Sequence, residues 1–324
     1  MHANPPDDIS APDIIADPDI SKTIEWPTLL MMVVTYGLWA IGTLAWEYSA
    51  ALSLVLTTLT ITQFSSLQHE VLHGHPFANR RINEALVFLP LTLVVPFNRF
   101  RDLHLAHHFD PNLTDPYDDP EANYMDPAVW DQMSAPVKLL YRMNNTLGGR
   151  ILFGPGIAIY SLVKMDAALI AKGNRAVLLA WVLNTIGVAL VLFWVLGFTT
   201  MPLWAYCIAA YAGFGLLKIR TYLEHRAHEA FRARTVVVED KGLLALLFLN
   251  NNFHVVHHMH PNAAWYKLPG LYAAKRDHYL RRNEDYVYRS YSQIFRLFLF
   301  RAKDPVPHPI WPSKPMADDR AGFV

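Results

Sequence analysis

Residues 176–217 read AVLLAWVLNTIGVALVLFWVLGFTTMPLWAYCIAAYAGFGLL and contain no lysine, arginine, aspartate or glutamate. Gly197 and Pro202 divide the stretch, leaving apolar segments at 176–197 and 201–219. Each is close to the ~20 residues a helix needs to cross the hydrocarbon core of a bilayer. The same pairing occurs earlier, at 27–45 and 48–67, with a turn around Glu47. The pattern predicts an all-α membrane protein with four transmembrane helices in two hairpins.

Orientation follows from the basic residues. None of the 28 lies between Thr23 and Asn79 or between Ala176 and Leu217. They fall instead in the N-terminal segment, in the segment from Arg80 to Arg175, and beyond Leu217. Four crossings put these three regions on one side, and excess positive charge makes that side cytoplasmic. Both termini are therefore expected in the cytosol.

Composition agrees with a membrane protein. Only 17% of the 324 residues are charged, against about a quarter in soluble domains. Zero formal net charge gives no reason to expect a nucleic-acid partner. The single cysteine, Cys207, cannot form an internal disulfide, a thiolate zinc site or an iron–sulfur centre. Residues 1–26 are polar, proline-rich and acidic, lack the features of a secretory signal, and read as a flexible cytosolic tail. A single domain is expected over 27–300, followed by a tail at 301–324. Two shorter apolar stretches, Ala85–Phe97 and Ile151–Val163, are interrupted by proline or glycine. They fit helices at the interface or buried helices of a cytosolic cap.

Histidine is abundant and unevenly placed. His69-Glu70-Val71-Leu72-His73 follows the second apolar segment, His104-Leu105-Ala106-His107-His108 lies in the central segment, and His254-Val255-Val256-His257-His258 follows the fourth. On a helix, positions three and four apart share a face, so each cluster can present its imidazoles together. Eight imidazoles exceed what one ion takes and suit two ions with open positions. Imidazole accepts zinc, copper, nickel and iron, so the ligand type does not choose the metal.

With these three clusters the sequence resembles the membrane fatty acid desaturase superfamily, marked by three histidine boxes around a non-haem di-iron centre. The superfamily includes lipid desaturases, alkane and sterol hydroxylases, and carotenoid ketolases. The resemblance implies that His69, His73, His104, His107, His108, His254, His257 and His258 ligate two irons. It also implies a further ligand after the fourth span, where His225 stands in Thr221-Tyr222-Leu223-Glu224-His225. That string is similar to the corresponding stretch of alkane monooxygenases. Glu70 replaces an aspartate common in desaturases. His75 and His260 extend the first and third boxes, as in hydroxylase and ketolase branches. The implied activity is oxygen-dependent desaturation of a fatty acid or acyl lipid, with hydroxylation, or oxidation of a smaller metabolite, as the alternative.

Other residues have two readings each. Glu70, with His69 and His73, also spells the H-E-x-x-H zinc-protease signature, but that leaves the other two boxes unexplained. Glu70 otherwise holds an imidazole tautomer through its second nitrogen, and Glu224 is a further residue of this kind. His75, His228 and His260 fit outer supports better than ligands. Asp115 or Asp118, in the Asp110–Pro120 loop, either orients box histidines or sits in a proline-set turn. Asn250, Asn251 and Asn252 fit a helix cap or a polar contact near the metals. Trp265 and Tyr266 suit a substrate entrance or an interface anchor. The basic stretch with Lys275, Arg276, Arg281 and Arg282 suits anionic lipid, an acidic electron donor or plain solvation. His2, His278 and His308 read as ordinary surface residues. A histidine-rich metal transporter or sensor is the reading from another class, and the near absence of ionisable residues within the spans argues against it.

No haem-binding stretch, Gly-rich dinucleotide fingerprint or cysteine set is present, so no bound haem, flavin or nicotinamide is expected. Electrons are expected from a ferredoxin or cytochrome b5-type protein with its reductase. No C-terminal dilysine or KDEL-type signal occurs, which points to a bacterial inner membrane.

Overall fold

A computed structural model describes residues 24–109 and 113–311. The expectations for residues 1–23, for His2, for Asp110 and for 312–324 lie outside the described residues. The described chain is mostly helical. Its order is α1 (Trp26–Leu44), α2 (Ala50–Leu72), α3 (Arg80–Leu86), α4 (Phe97–Phe109), α5 (Pro127–Gln132), α6 (Ala135–Asn144) and α7 (Leu147–Ala171). It continues with α8 (Arg175–Phe198), α9 (Leu203–Thr221), α10 (Leu243–Leu247), α11 (His254–Met259), α12 (Leu268–Ala274), α13 (Arg276–Arg282) and α14 (Tyr291–Phe298). A two-residue parallel ladder pairs β1 (Val237–Val238) with β2 (Val287–Tyr288).

Four helical stretches are long and apolar enough to cross a membrane: Trp26–Glu47, Ala50–Leu72, Leu147–Ala171 and Arg175–Phe198. Three coincide with stretches read from the sequence. The fourth corrects the reading of Ile151–Val163, which is the middle of a 25-residue helix. Pro155 lies inside α7, and the Ile151 carbonyl, which it leaves without an i+4 N–H, lies against Gly215, whose added Cβ would come within 2.6 Å of it. Tyr211 donates to the adjacent Leu152 carbonyl at 2.6 Å. The expected span at 201–219 is a helix, α9, but Lys218 and Arg220 dilute its apolar character. Ala85–Phe97, expected as a helix, is mostly turns, with Leu91 buried and the Pro90 ring against Gly187 of α8.

Small and hydroxyl residues let the long helices approach closely. Ser53 Oγ donates to the Gly42 carbonyl at 2.7 Å, joining α2 to α1. Thr62 Oγ1 donates to the Gly213 carbonyl at 3.0 Å, joining α2 to α9. Trp39 Nε1 donates to Tyr206 Oη at 3.1 Å, and Tyr206 donates to the Leu91 carbonyl at 2.9 Å.

The contacts also fix direction. Ser53 meets Met201 and Thr62 meets Gly213, so α2 and α9 run parallel. Both therefore deliver their C-terminal ends to the same side of the bundle. α8 runs the opposite way, with Trp181 beside Asp166 near its start and Trp194 on Thr43 near its end. α7 begins at Arg150 against Asn144 and reaches Asp166 against Arg99 of α4. Its two ends thus meet α6 and α4, elements that precede it in the segment carrying the second histidine cluster.

The segment after 300 is not a free tail over its described part. Met125 N donates to the Val306 carbonyl at 3.0 Å and His308 N to the Met125 carbonyl at 2.8 Å. His308, expected at the surface, is buried between Thr114 and Tyr124.

Candidate metal centre

Each histidine cluster lies at a helix end. α2 carries His69 in its last turn and closes on His73, α4 ends with His107 and His108, and α11 spans the whole third cluster. His225 follows the end of α9 in an irregular segment that bridges to Thr235.

The nine imidazoles form two groups. His69, His73, His104, His108 and His257 converge in one, and His107, His225, His254 and His258 in the other. Within each group the ligand atoms all lie within 4.8 Å of one another. The H-x-x-H-H pattern explains the division. In α4 the pair His104 and His108, four apart, faces the first group and His107 faces the second. In α11 the pair His254 and His258 faces the second group and His257 faces the first. The two groups are therefore adjacent, and the His108 and His258 rings stack at 4.3 Å.

The nitrogens have the spacing of ligands around one ion. His108 Nε2 is 3.0 Å from both His104 Nε2 and His257 Nε2. His225 Nε2 is 3.0 Å from His107 Nε2 and 3.2 Å from His254 Nε2. Two nitrogens bound at about 2.1 Å to one ion stand roughly 3.0–3.4 Å apart. His69 Nε2 and His73 Nε2 are buried with no hydrogen-bond partner, a costly state that an ion relieves. The donor set fits two metal ions.

Carboxylates hold the outer nitrogens. His104 Nδ1 meets Glu121 at 2.7 Å and His107 Nδ1 meets Asp119 at 2.7 Å. This favours the Nδ1–H tautomer and leaves Nε2 free to ligate. His254 Nδ1 lies 3.2 Å from Asn251 Oδ1 and 3.8 Å from Glu224. Thr235 stands 3.4 Å from His225 Nδ1, and Lys303 Nζ donates to the His225 carbonyl at 2.5 Å.

Charge is set by the same neighbours. Burial, and then repulsion from adjacent imidazoles, holds His73, His108, His225, His254, His257 and His258 well below the usual imidazole pKa. They are neutral and available to metal. Burial also pulls His107 down, but Glu121, Asp119 and Glu224 outweigh it and raise its pKa to about 9, so metal binding at its Nε2 displaces a proton. Burial raises the Glu224 carboxyl more than Arg220 lowers it.

Several expected supports stand elsewhere. Asp115 Oδ1 accepts from the Tyr117 and Asp118 amides in a local turn, so Asp115 and Asp118 do not orient the box histidines. Asp119 and Glu121 do so. The run of acids behind the second cluster pointed to the correct loop, but no periodicity could pick the residue. Glu70 accepts from Trp265 N at 3.1 Å and stands 3.9 Å from His69 Nδ1, too far for a hydrogen bond. Asn252 donates to the Val238 and Asp240 carbonyls, and it is Asn251 that meets His254. None of the three asparagines caps α11 through its side chain, because Phe253 occupies the cap position. His75 pairs with Glu25 at 2.7 Å, His260 with Tyr279 at 3.0 Å and His228 with Glu284 at 3.4 Å. All three lie outside both groups.

A cavity of about 990 Å³ reaches His225 and Glu224. Gln68, Phe100, Tyr141, Ile157 and Phe214 are among its walls, so α2, α4, α6, α7 and α9 all contribute.

The model of the fatty acid desaturase family matches residues 44–291. A β-carotene ketolase from Paracoccus sp. (strain N81106 / MBIC 01143) is 27% identical over 277 residues, covering 83% of this chain and 95% of that protein. Both likenesses are to oxidoreductases of one superfamily.

Proposed function

Because the chain belongs to the fatty acid desaturase family, and is accordingly an integral membrane oxidoreductase, we propose that it is a di-iron oxidase that uses O2 to form a C=C bond in a fatty acid or acyl lipid. The observation that carries this reading is the pair of adjacent histidine groups, one member of which, His225, lines a large cavity with mostly apolar walls. The nine histidines hold two irons, five on one and four on the other.

Bound iron supplies oxygen activation and removal of hydrogen from an unactivated carbon. The chain supplies placement. Gln68, Phe100, Ile157 and Phe214 line the chamber for the aliphatic chain beside His225. Asp119 and Glu121 keep His107 and His104 aimed inward. Burial of the groups excludes water from the reacting carbon.

α1, α2, α8 and α9 cross the bilayer, with the histidines on the cytoplasmic side of a bacterial inner membrane. An even number of crossings must separate His73 from His225, since both belong to one centre. α7 meets that requirement by lying along the interface, which its contacts at Asn144 and Arg99 support. Electrons come from a ferredoxin or cytochrome b5-type partner with its reductase.

The ketolase likeness favours one second reading, insertion of oxygen rather than loss of hydrogen, on a lipid or a smaller metabolite. Mass spectrometry of lipids and metabolites after expression with a ferredoxin system separates the two. Products lighter by two hydrogens, absent from a His108→Ala strain, support desaturation. Products that gain oxygen support the second reading. No oxidised product, with a single labile metal per chain, contradicts both.

A further inference from the structure

The cavity wall carries two cations, Arg150 and Lys218, that make no direct ion pair with a carboxylate among the described residues, although Glu121 and Glu224 act on Lys218 at longer range. Arg150 is 8% exposed, and the groups it meets are neutral. Its Nε donates to the Asn144 carbonyl at 2.9 Å, its Nη1 to Asn123 Oδ1, and its guanidinium stands 6.0 Å from the Tyr222 ring centre. Lys218, on the adjacent α9, has its ammonium 4.9 Å from the Phe214 ring centre. The two side chains flank Gly154, where an added Cβ would meet Arg150 Cδ at 3.0 Å and Lys218 Cγ at 3.4 Å.

The acids on the same wall are already committed. Glu121 bonds His104, Asp126 accepts from Tyr117 Oη and Ala128 N, and Glu224 stands 3.1 Å from Arg220. Asn144 Oδ1, 3.4 Å from the Gly154 Cβ position, is buried without a partner. Arg150 is buried and Lys218 half-buried, and a buried cation with no directly paired carboxylate is costly, so the pair suits an anion. Glycine at 154 lets both side chains pack closely on α7, and a guanidinium suits a two-oxygen acceptor.

We propose that the substrate carries an anionic group, a carboxylate or a phosphate, which seats between Arg150 and Lys218 while its chain extends along the cavity toward His225. This rests on the reading of the cavity as the substrate chamber. It adds a specificity element: a neutral molecule with the same tail is a poor ligand.

Equilibrium binding to the full-length, iron-loaded protein in neutral maltoside micelles tests this, with tritiated dodecanoate, dodecyl phosphate and dodecanol as probes. At least one anion is expected to bind tenfold or more tightly than dodecanol. Lys218→Gln and Arg150→Gln should each weaken that binding about tenfold or more and leave dodecanol unchanged. Arg150→Lys should restore part of the loss. A preference for dodecanoate alone assigns a carboxylic acid, and one for dodecyl phosphate alone assigns a phosphorylated headgroup. Equal binding of all three probes, or an anion preference that survives both Gln variants, overturns the proposal. Iron measured on the same samples keeps the two ideas apart: two irons per chain with no anion preference rejects the anion site and leaves the metal centre standing.

Discussion

His257 Nε2 lies 3.0 Å from His108 Nε2, although 149 positions separate them in the chain. No helix geometry within either box brings these atoms together. The contact exists because α11 folds back onto the end of α4, and it joins the second and third boxes in one ligand group.

Removing one shared nitrogen should empty one group and spare the other. His225 touches both His107 and His254, so His225→Ala is expected to lower bound metal from two ions to about one per chain. His228→Ala and His260→Ala should retain both ions, because their partners are Glu284 and Tyr279. Metal analysis after desalting reads the difference. Loss of metal from the His260 variant equal to that from the His225 variant would count against the assignment.

The carboxylates behind the imidazoles should set affinity. Asp119→Asn and Glu121→Gln are each expected to weaken metal binding by roughly 10–100-fold, the effect typical of outer supports. Asp115→Asn, whose carboxylate serves a local turn, should change it little. Chelator competition measures all three. An Asp115 effect as large as that of Asp119 would contradict the geometry.

Much of this arrangement was legible from the sequence. The nine histidines now found in two groups were picked out by box spacing and by resemblance, and three of the four long apolar helices by composition. The division of each H-x-x-H-H box between two groups was not legible, because it depends on how α4 and α11 face each other. The extent of α7 is not legible, because Pro155 and its flanking glycines look like a break, whereas the helix runs through them with α9 packed closely against it. Asp119 and Glu121 lie in a loop without periodicity, so only the folded chain separates them from Asp115 and Asp118.

A buried ion pair ties the second box to α7. Arg99 Nη2 stands 2.8 Å from Asp166, and Trp181 Nε1 donates to the same carboxylate at 2.8 Å. Asp166→Ala leaves the arginine buried and alone, and should cost about 3–5 kcal/mol. Denaturation in mixed micelles reads this. A loss under about 1 kcal/mol, as seen for exposed pairs, would show that the pair is solvated.

Close approach of α2 and α9 should not tolerate a side chain at 213. An added Cβ at Gly213 would sit 3.0 Å from Ile61 Cγ2 and 3.0 Å from the Thr58 carbonyl. Gly213→Leu is expected to destabilise by about 1–3 kcal/mol or more and to lower metal retention. Gly37→Leu, at an exposed position with nothing within 4 Å of its Cβ, should do neither. Thermal melting and metal content of the two variants compare them directly.

Nine histidines shared five to four would hold two irons in unequal coordination. Mössbauer spectroscopy of protein expressed with iron-57 distinguishes such sites. Two iron signals of equal area and different parameters, at two irons per chain, are the expected result. A single iron environment at one ion per chain, or two sites filled by tightly held zinc in iron-replete cells, would contradict it.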